Sequence, residues 1–134
     1  MNPCIGLDSN IALRWLIVLS DDELAAEQVR AALAAEEGEV HVNLVVLAEI
    51  NWVARKTMKL TRDGQAAFIQ ALLDHPRIRI AERSCVTEAL AAFRHGGPGF
   101  TDHLIAALNR AAVCRTTLTF DKTAARADGF TLLT

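Results

Sequence analysis

The sequence predicts an α/β protein, a three-layer sandwich in which a mainly parallel, five-stranded sheet is flanked by helices. Short apolar runs that suit strands alternate with longer segments that have helical periodicity. Such alternation is typical of parallel sheets, because each crossover helix covers one face of the sheet. The chain has 134 residues, of which 51% are hydrophobic, enough for one domain with a substantial core. We therefore expect residues 1–134 to form a single domain.

Polar caps and breaking residues delimit the predicted elements. Ser20 and Glu23 have the spacing of a capping box, Thr61 suits a helix N-cap, and Pro76 prevents the preceding helix from continuing. The predicted strands are residues 4–7, 40–42, 78–81, 116–120 and 130–133. The predicted helices are residues 11–18, 20–36, 43–58, 61–73, 84–94 and 101–112, with one or two helical turns at 121–126.

Charge and cysteine content exclude several classes of protein. The net charge is −2, with 14 basic and 16 acidic residues, whereas proteins that coat nucleic acid are usually basic. A nuclease remains compatible with this balance, because bound divalent cations would offset an acidic cluster. Cys4, Cys85 and Cys114 lack CxxC spacing, which argues against a disulfide framework or a zinc site and favours small buried apolar residues. No segment resembles a signal peptide or a membrane span, so we expect a cytoplasmic protein.

Three aspartates follow strand ends or begin helices. Asp8 and Asp121 come directly after the first and fourth predicted strands, where the ligand crevice of a parallel α/β sheet lies. Asp102 is in the first turn of a helix, after the glycine-rich residues 96–99. Taken singly, each is more simply explained as an ordinary helix cap or first-turn residue, because the helix dipole favours carboxylates there.

Glu49 differs from the aspartates, because it lies beside or within the apolar face of its predicted helix. A buried carboxylate is normally paired, protonated or bound to a cation. Pairing with Arg14 is one interpretation, and a metal site is the other. Mg²⁺ prefers oxygen ligands and commonly takes one or two carboxylates. The four histidines lack metal-ligand spacing, and no serine–histidine or cysteine–histidine arrangement competes.

Four segments of the chain resemble PIN-domain toxins of the VapC type. The matching segments are residues 5–14, 45–53, 100–107 and 114–122, and each contains one acid, namely Asp8, Glu49, Asp102 and Asp121. Gly129-Phe130 matches the C-terminal end. The resemblance covers nearly the whole chain in order. It implies a metal-dependent ribonuclease whose catalytic residues are Asp8, Glu49, Asp102 and Asp121, with Mg²⁺ or Mn²⁺ held by the first three.

The resemblance also implies supporting roles for further residues. Asn10 and Thr119 would orient the acids that bind the metal, although each also suits an ordinary helix or strand position. Arg14 would face the cleaved phosphate or the acids. Relatives often have Asp where this chain has Gly99, which predicts altered metal binding. His103, where relatives often have Ala, is expected to face outward.

The implied reaction is cleavage of single-stranded RNA by metal-activated water, leaving a 5′-phosphate and a 3′-hydroxyl. Four basic residues could bind flanking phosphates or form solvated helix faces, namely Arg14, Arg55, Lys56 and Lys59. The implied partners are a second copy of the chain and a small VapB-like antitoxin. The antitoxin would place a helix in an apolar groove near Trp15 and Trp52, which are equally explained as core residues.

Other classes of protein are less compatible with these residues. A haloacid-type phosphatase needs Asp-x-Asp, and Asp8-Ser9-Asn10 does not provide it. A receiver domain needs two adjacent early acids and a late lysine, and Lys122 is misplaced for that role. A PIN fold that only binds nucleic acid or protein is the non-enzymatic alternative, but a binding module would have no reason to keep a costly acidic cluster.

Overall fold

The computed structural model describes residues 4–16 and 23–134, and the elements there agree with the predicted ones to within a few residues. Part of the predicted capping box (residues 20–22) and the predicted end of the first helix (residues 17–18) lie outside these ranges. The α-helices are α1 (Ser9–Leu16), α2 (Glu23–Ala35), α3 (Leu44–Lys56), α4 (Arg62–Asp74), α5 (Arg83–His95) and α6 (Phe100–Ala111). The strands are β1 (Ile5–Gly6), β2 (Val40–Val42), β3 (Ile78–Ile80), β4 (Thr117–Thr119) and β5 (Phe130–Leu132), with a 3₁₀ turn at Ala124–Arg126.

The strands form two parallel sheets, and the prediction of one five-stranded sheet is wrong for the described residues. In the first sheet β2 lies between β1 and β3, with Val40 opposite both Ile5 and Ile78. In the second, β4 pairs with β5, and Thr117 is opposite Phe130. Strands of two or three residues form few ladder hydrogen bonds, so tertiary packing decides which sheet each one joins.

The hydrophobic core lies between the three-stranded sheet and the helices. Val40 and Val42 of β2 are fully buried, as is Leu47 of α3. Phe93 of α5 packs edge-on against Phe100 of α6, with ring centroids 6.2 Å apart and an interplanar angle of 81°. Such an edge-to-face pair adds about 0.5–1.5 kcal/mol beyond its buried area. This core fixes α3 and α6 relative to the sheet.

Side chains cap the N-termini of α3 and α4, two helices that position the site. Asn43 caps α3 by accepting a hydrogen bond from the Val46 amide at 2.9 Å. Thr61 caps α4 by accepting from the Gly64 amide at 3.1 Å, which confirms the predicted cap. Each such cap is worth roughly 1 kcal/mol. Because Asn43 directly follows β2, the cap places the start of α3 at the carboxyl end of that strand.

Cys4, Cys85 and Cys114 are free thiols, and burial raises the pKa of the Cys85 thiol. Cys4 and Cys114 are exposed, so the interpretation of all three cysteines as buried apolar residues is wrong for these two. Among residues 4–16 and 23–134, none of the helices has both the length and the apolar character that crossing a bilayer requires.

Candidate active site

Helices α3 and α6 border a cavity of about 480 Å³ that contains two of the four predicted acids. Glu49 and Trp52 line it from α3, together with Arg55. Asp102 lines it from the first turn of α6. Two carboxylates and one guanidinium therefore face the same space, which gives the cavity a net negative charge.

Asp8 does not line this cavity, but its neighbour Ser9 connects that segment to it. The Ser9 hydroxyl donates a hydrogen bond to Oε2 of Glu49 at 2.5 Å. Oδ1 of Asp8 accepts from the Ile11 amide at 2.9 Å and so caps α1. Sequence reasoning missed Ser9, whose only signal was its position directly after Asp8. The Ser9–Glu49 bond places Asp8 one residue away from a group that contacts the cavity acid.

Glu49 is exposed, so the argument from the cost of burying its charge is wrong. Leu47, Ile50 and Ala54 form the buried face of α3, and Glu49 lies next to that face, outside it. The spacing of apolar residues alone did not decide on which side of the boundary Glu49 falls. Its place in the cavity, and not burial, is what makes it a candidate metal ligand.

Asp121 and its neighbour Thr119 are joined to each other, away from the cavity lining. Oδ1 of Asp121 accepts from the amides of Thr123 at 2.8 Å and Ala124 at 3.3 Å, at the start of the 3₁₀ turn. The Thr119 hydroxyl accepts from the Asp121 amide at 3.0 Å. Thr119 therefore orients the backbone of this acid, and Asp121 does not line the space that holds Glu49.

Asn10 and Arg14 contact each other on α1. Nε of Arg14 donates to Oδ1 of Asn10 at 2.6 Å, across one turn of the helix. The Asn10 oxygen therefore orients a guanidinium, whereas the resemblance implied that Asn10 would orient an acid.

A buried amide, Asn51, links the two helices that carry Glu49 and Asp102. Asn51 is only 5% exposed. Its Nδ2 donates to Oε1 of Gln65 on α4 at 3.3 Å, and its Oδ1 accepts from the Thr101 hydroxyl on α6 at 3.5 Å. Buried polar groups that satisfy one another fix the register of the elements they join. Asn51 therefore helps to set the separation of α3 and α6.

Arg62 of α4 holds the loop that precedes α6. Its guanidinium donates to the carbonyl oxygens of Phe93 and Pro98, both at 2.9 Å, and of Gly97 at 3.2 Å. It also lies 4.0 Å from the centroid of the Phe93 ring. Sequence reasoning missed this residue, because its partners are backbone carbonyls 31 to 36 residues away. The contacts fix the loop that leads to Asp102.

His103 is buried, so the prediction that it faces outward is wrong. The residue is 7% exposed, and its Nε2 lies 2.9 Å from the carbonyl oxygen of Gly96. A carbonyl oxygen can only accept, so Nε2 carries the proton and donates. The glycine-rich loop folds back over this face of α6 and covers the imidazole.

The donors that line the cavity fit a hard divalent cation. In the parts of the chain that the structure describes, no three acidic, histidine or cysteine side chains lie close enough together to hold a metal ion. Glu49 and Asp102 nevertheless provide two carboxylates in one cavity. Mg²⁺ is commonly bound by one or two carboxylates while it keeps several waters and takes substrate phosphates as further ligands.

Comparison with known families identifies the chain. A family model for the PIN domain matches residues 5–130. The chain belongs to the PIN-domain family. PIN domains are typically nucleases and generally use a divalent metal. No curated protein matches the sequence.

Gly99, the N-cap of α6 in this PIN domain, has room for the Asp that the resemblance leads one to expect at this position. Its φ of −68° and ψ of 167° are accessible to any residue, and an added Cβ would meet no atom within 4 Å. We expect Gly99→Asp to cap α6 and to increase Mg²⁺ affinity by about tenfold, because it adds a third carboxylate near Glu49 and Asp102.

The rise in melting temperature with added Mg²⁺ measures this effect. Gly99→Asn is the matched control, because it caps the helix without adding charge. Equal Mg²⁺ responses in the Asp and Asn variants would contradict the prediction.

Proposed function

We propose that this PIN domain is an endoribonuclease that depends on Mg²⁺ or Mn²⁺. The observation that carries the proposal is the shared cavity of Glu49 and Asp102, to which Ser9 links the segment that bears Asp8. Asp8, Glu49 and Asp102 are the proposed metal ligands. When bound, the metal would activate a water and stabilise negative charge on the phosphate under attack.

The remaining predicted residues support this centre in different ways. Arg55 lines the cavity and is positioned to bind a phosphate of the substrate. Arg14, which Asn10 orients, would contact the RNA on the side of α1. Asp121, whose backbone Thr119 holds, would contribute negative charge at the edge of the site without binding the metal directly.

Cleavage of RNA in the presence and absence of chelator tests the proposal. We expect purified protein to cut single-stranded RNA with Mg²⁺ or Mn²⁺ and to stop when EDTA is added. The products should carry a 5′-phosphate and a 3′-hydroxyl. Asp8→Asn should abolish this cleavage without unfolding the protein, because asparagine also caps a helix and can accept from the Ile11 amide. Full activity of Asp8→Asn would refute the assignment.

A PIN fold that only binds nucleic acid or protein is the second candidate function. It is favoured by one observation, namely that within the described ranges no third acid joins Glu49 and Asp102 as a metal-binding group. RNA binding that EDTA does not change, without any cleavage, would support this second function over the first.

We further propose that the enzyme is the toxin of a VapBC-type pair and forms a homodimer. The support is an apolar groove of about 390 Å³ between β1, α1 and α2, into which a helix of a small antitoxin could dock. Overproduction of the chain alone should arrest growth, and co-expression of a VapB-like partner should relieve the arrest. Unaffected growth would count against the toxin role, and light scattering would give the oligomeric state.

A further inference from the structure

Within the described ranges, Trp52 is the exposed aromatic residue of the cavity of Glu49 and Asp102, because Phe120 is 80% exposed but does not line that cavity. The Trp52 side chain is 55% exposed, whereas Phe93 and Phe100 are buried. Trp15 packs on His75, with ring centroids 5.0 Å apart. Among the described residues, no aromatic ring stacks on Trp52. A single exposed apolar side chain is normal on a protein surface, so exposure by itself does not indicate a role.

The position of Trp52 in the cavity is what distinguishes it. Glu49, Trp52 and Arg55 follow one another at intervals of three residues on α3, and all three line the cavity. This spacing places them in a row along the helix, each about 4.5 Å further along the axis. Because helical side chains lean towards the N-terminus, the indole lies over the turn that carries Glu49.

The row consists of an acid, an aromatic ring and a cation. This order matches the alternation of phosphates and bases along a single-stranded nucleic acid. Such strands expose bases that stack on aromatic side chains, while basic residues follow the phosphates. A carboxylate that holds a divalent cation would take one phosphate, and the guanidinium of Arg55 would take the next. The indole between them would face the intervening base.

We infer that Trp52 is a stacking platform for one unpaired nucleobase of the RNA, next to the phosphate that is cleaved. The inference depends on the proposed ribonuclease function for the identity of the bound strand. A base within a duplex is already stacked on its neighbours and is not free to leave them. The site therefore selects single-stranded RNA, and the flat ring favours purines because they offer the larger stacking surface.

The competing occupant is an apolar side chain of a protein partner. The two carboxylates and the guanidinium beside Trp52 favour a nucleotide over such a side chain, because an apolar contact would leave three charges partly desolvated. A protein partner would also make no distinction between aromatic and aliphatic replacements of similar apolar area at this position.

Tryptophan fluorescence with Ca²⁺ in place of Mg²⁺ or Mn²⁺ tests the inference, because Ca²⁺ also takes carboxylate oxygen ligands, and a gel verifies that the oligonucleotides stay intact. The experiment uses the variant Trp15→Phe. This change keeps an aromatic ring against His75 and leaves Trp52 as the sole indole. The probes are ten-residue oligoadenylate and oligouridylate at low salt, together with the adenylate–uridylate duplex. We expect saturable quenching by the single strands, tighter for adenylate, and much weaker quenching by the duplex.

Substitutions measured by fluorescence anisotropy of a labelled oligoadenylate complete the test. We expect Trp52→Leu to weaken binding by roughly 5- to 150-fold, and Trp52→Phe to keep most of the affinity. Val45→Ala is the control, because Val45 is 68% exposed on the same helix and does not line the cavity. Absence of quenching, or equal affinity of the Leu and Phe variants, would overturn the inference.

The outcomes separate this inference from the proposed function. Binding that depends on Trp52, combined with no metal-dependent cleavage of any RNA, would refute the nuclease and retain the stacking site. Metal-dependent cleavage, combined with unchanged binding in Trp52→Leu, would retain the nuclease and refute the stacking site.

Discussion

Replacing Glu49 by Gln or Asp102 by Asn is expected to lower the rate of metal-dependent RNA cleavage by at least about 100-fold. The reason is that both carboxylates line one cavity, and under the proposed function each would be a charged metal ligand that its neutral isostere replaces poorly. Neither change should unfold the protein. The Gln amide oxygen can still accept from Ser9, and the Asp102 carboxylate accepts no hydrogen bond from the described residues.

The double variant gives the sharper measurement. If both acids act on one ion, Glu49→Gln combined with Asp102→Asn should be little slower than the worse single variant, because residues that act as a unit are not additive. Initial rates at saturating Mg²⁺ and thermal unfolding provide the data. Asp63→Asn, on an acid of α4 outside the cavity, should cleave at the normal rate. Multiplicative losses in the double variant would show that the two acids act independently.

Replacing Arg62 by Ala is expected to weaken Mg²⁺ activation by about tenfold and to lower the free energy of unfolding by about 1–3 kcal/mol. The change removes donors to three carbonyl oxygens and a cation–π contact with Phe93. The loop before α6 then loses its attachment to α4, so Asp102 is held less firmly. Arg62→Lys should be intermediate, because an ammonium cannot reproduce the planar fork of donors.

The Mg²⁺ requirement of the folded protein distinguishes a role of Arg62 in positioning Asp102 from a role in stability alone. The Mg²⁺ concentration for half-maximal rate should rise in Arg62→Ala even at temperatures where the protein is fully folded. Arg94→Ala is the matched control, because Arg94 is exposed and, among the residues that the structure describes, donates to Gln70 alone. An unchanged Mg²⁺ requirement in Arg62→Ala would leave Arg62 as a structural residue only.

Local features of the sequence were sufficient for much of the fold. The bounds of α3 to α6 followed from apolar periodicity and from caps such as Thr61, because these signals act between residues within one or two turns. The division of the strands into two sheets could not be predicted from these local signals. Leu118 is at the centre of the predicted strand 116–120, yet it is 60% exposed, because successive side chains of a strand point to opposite faces.

The candidate site was predictable in its residue types and less so in its geometry. Asp102 and Glu49 were both selected from the sequence, and the structure places them in one cavity. Asp121 was selected by the same reasoning but lies outside that lining. Which acids meet depends on how α3 and α6 pack, and Asn51 contributes to this through partners on two other helices.

The sequence by itself determined the α/β element content, membership of the PIN family and the acids worth testing. These follow from short-range patterns and from motifs that can be read along the chain. Only the tertiary structure decided that Glu49 is exposed and bonded to Ser9, that His103 is covered, and that Trp52 faces the acids. The physical reason is that such contacts join residues far apart in the chain, so packing and not local preference selects them.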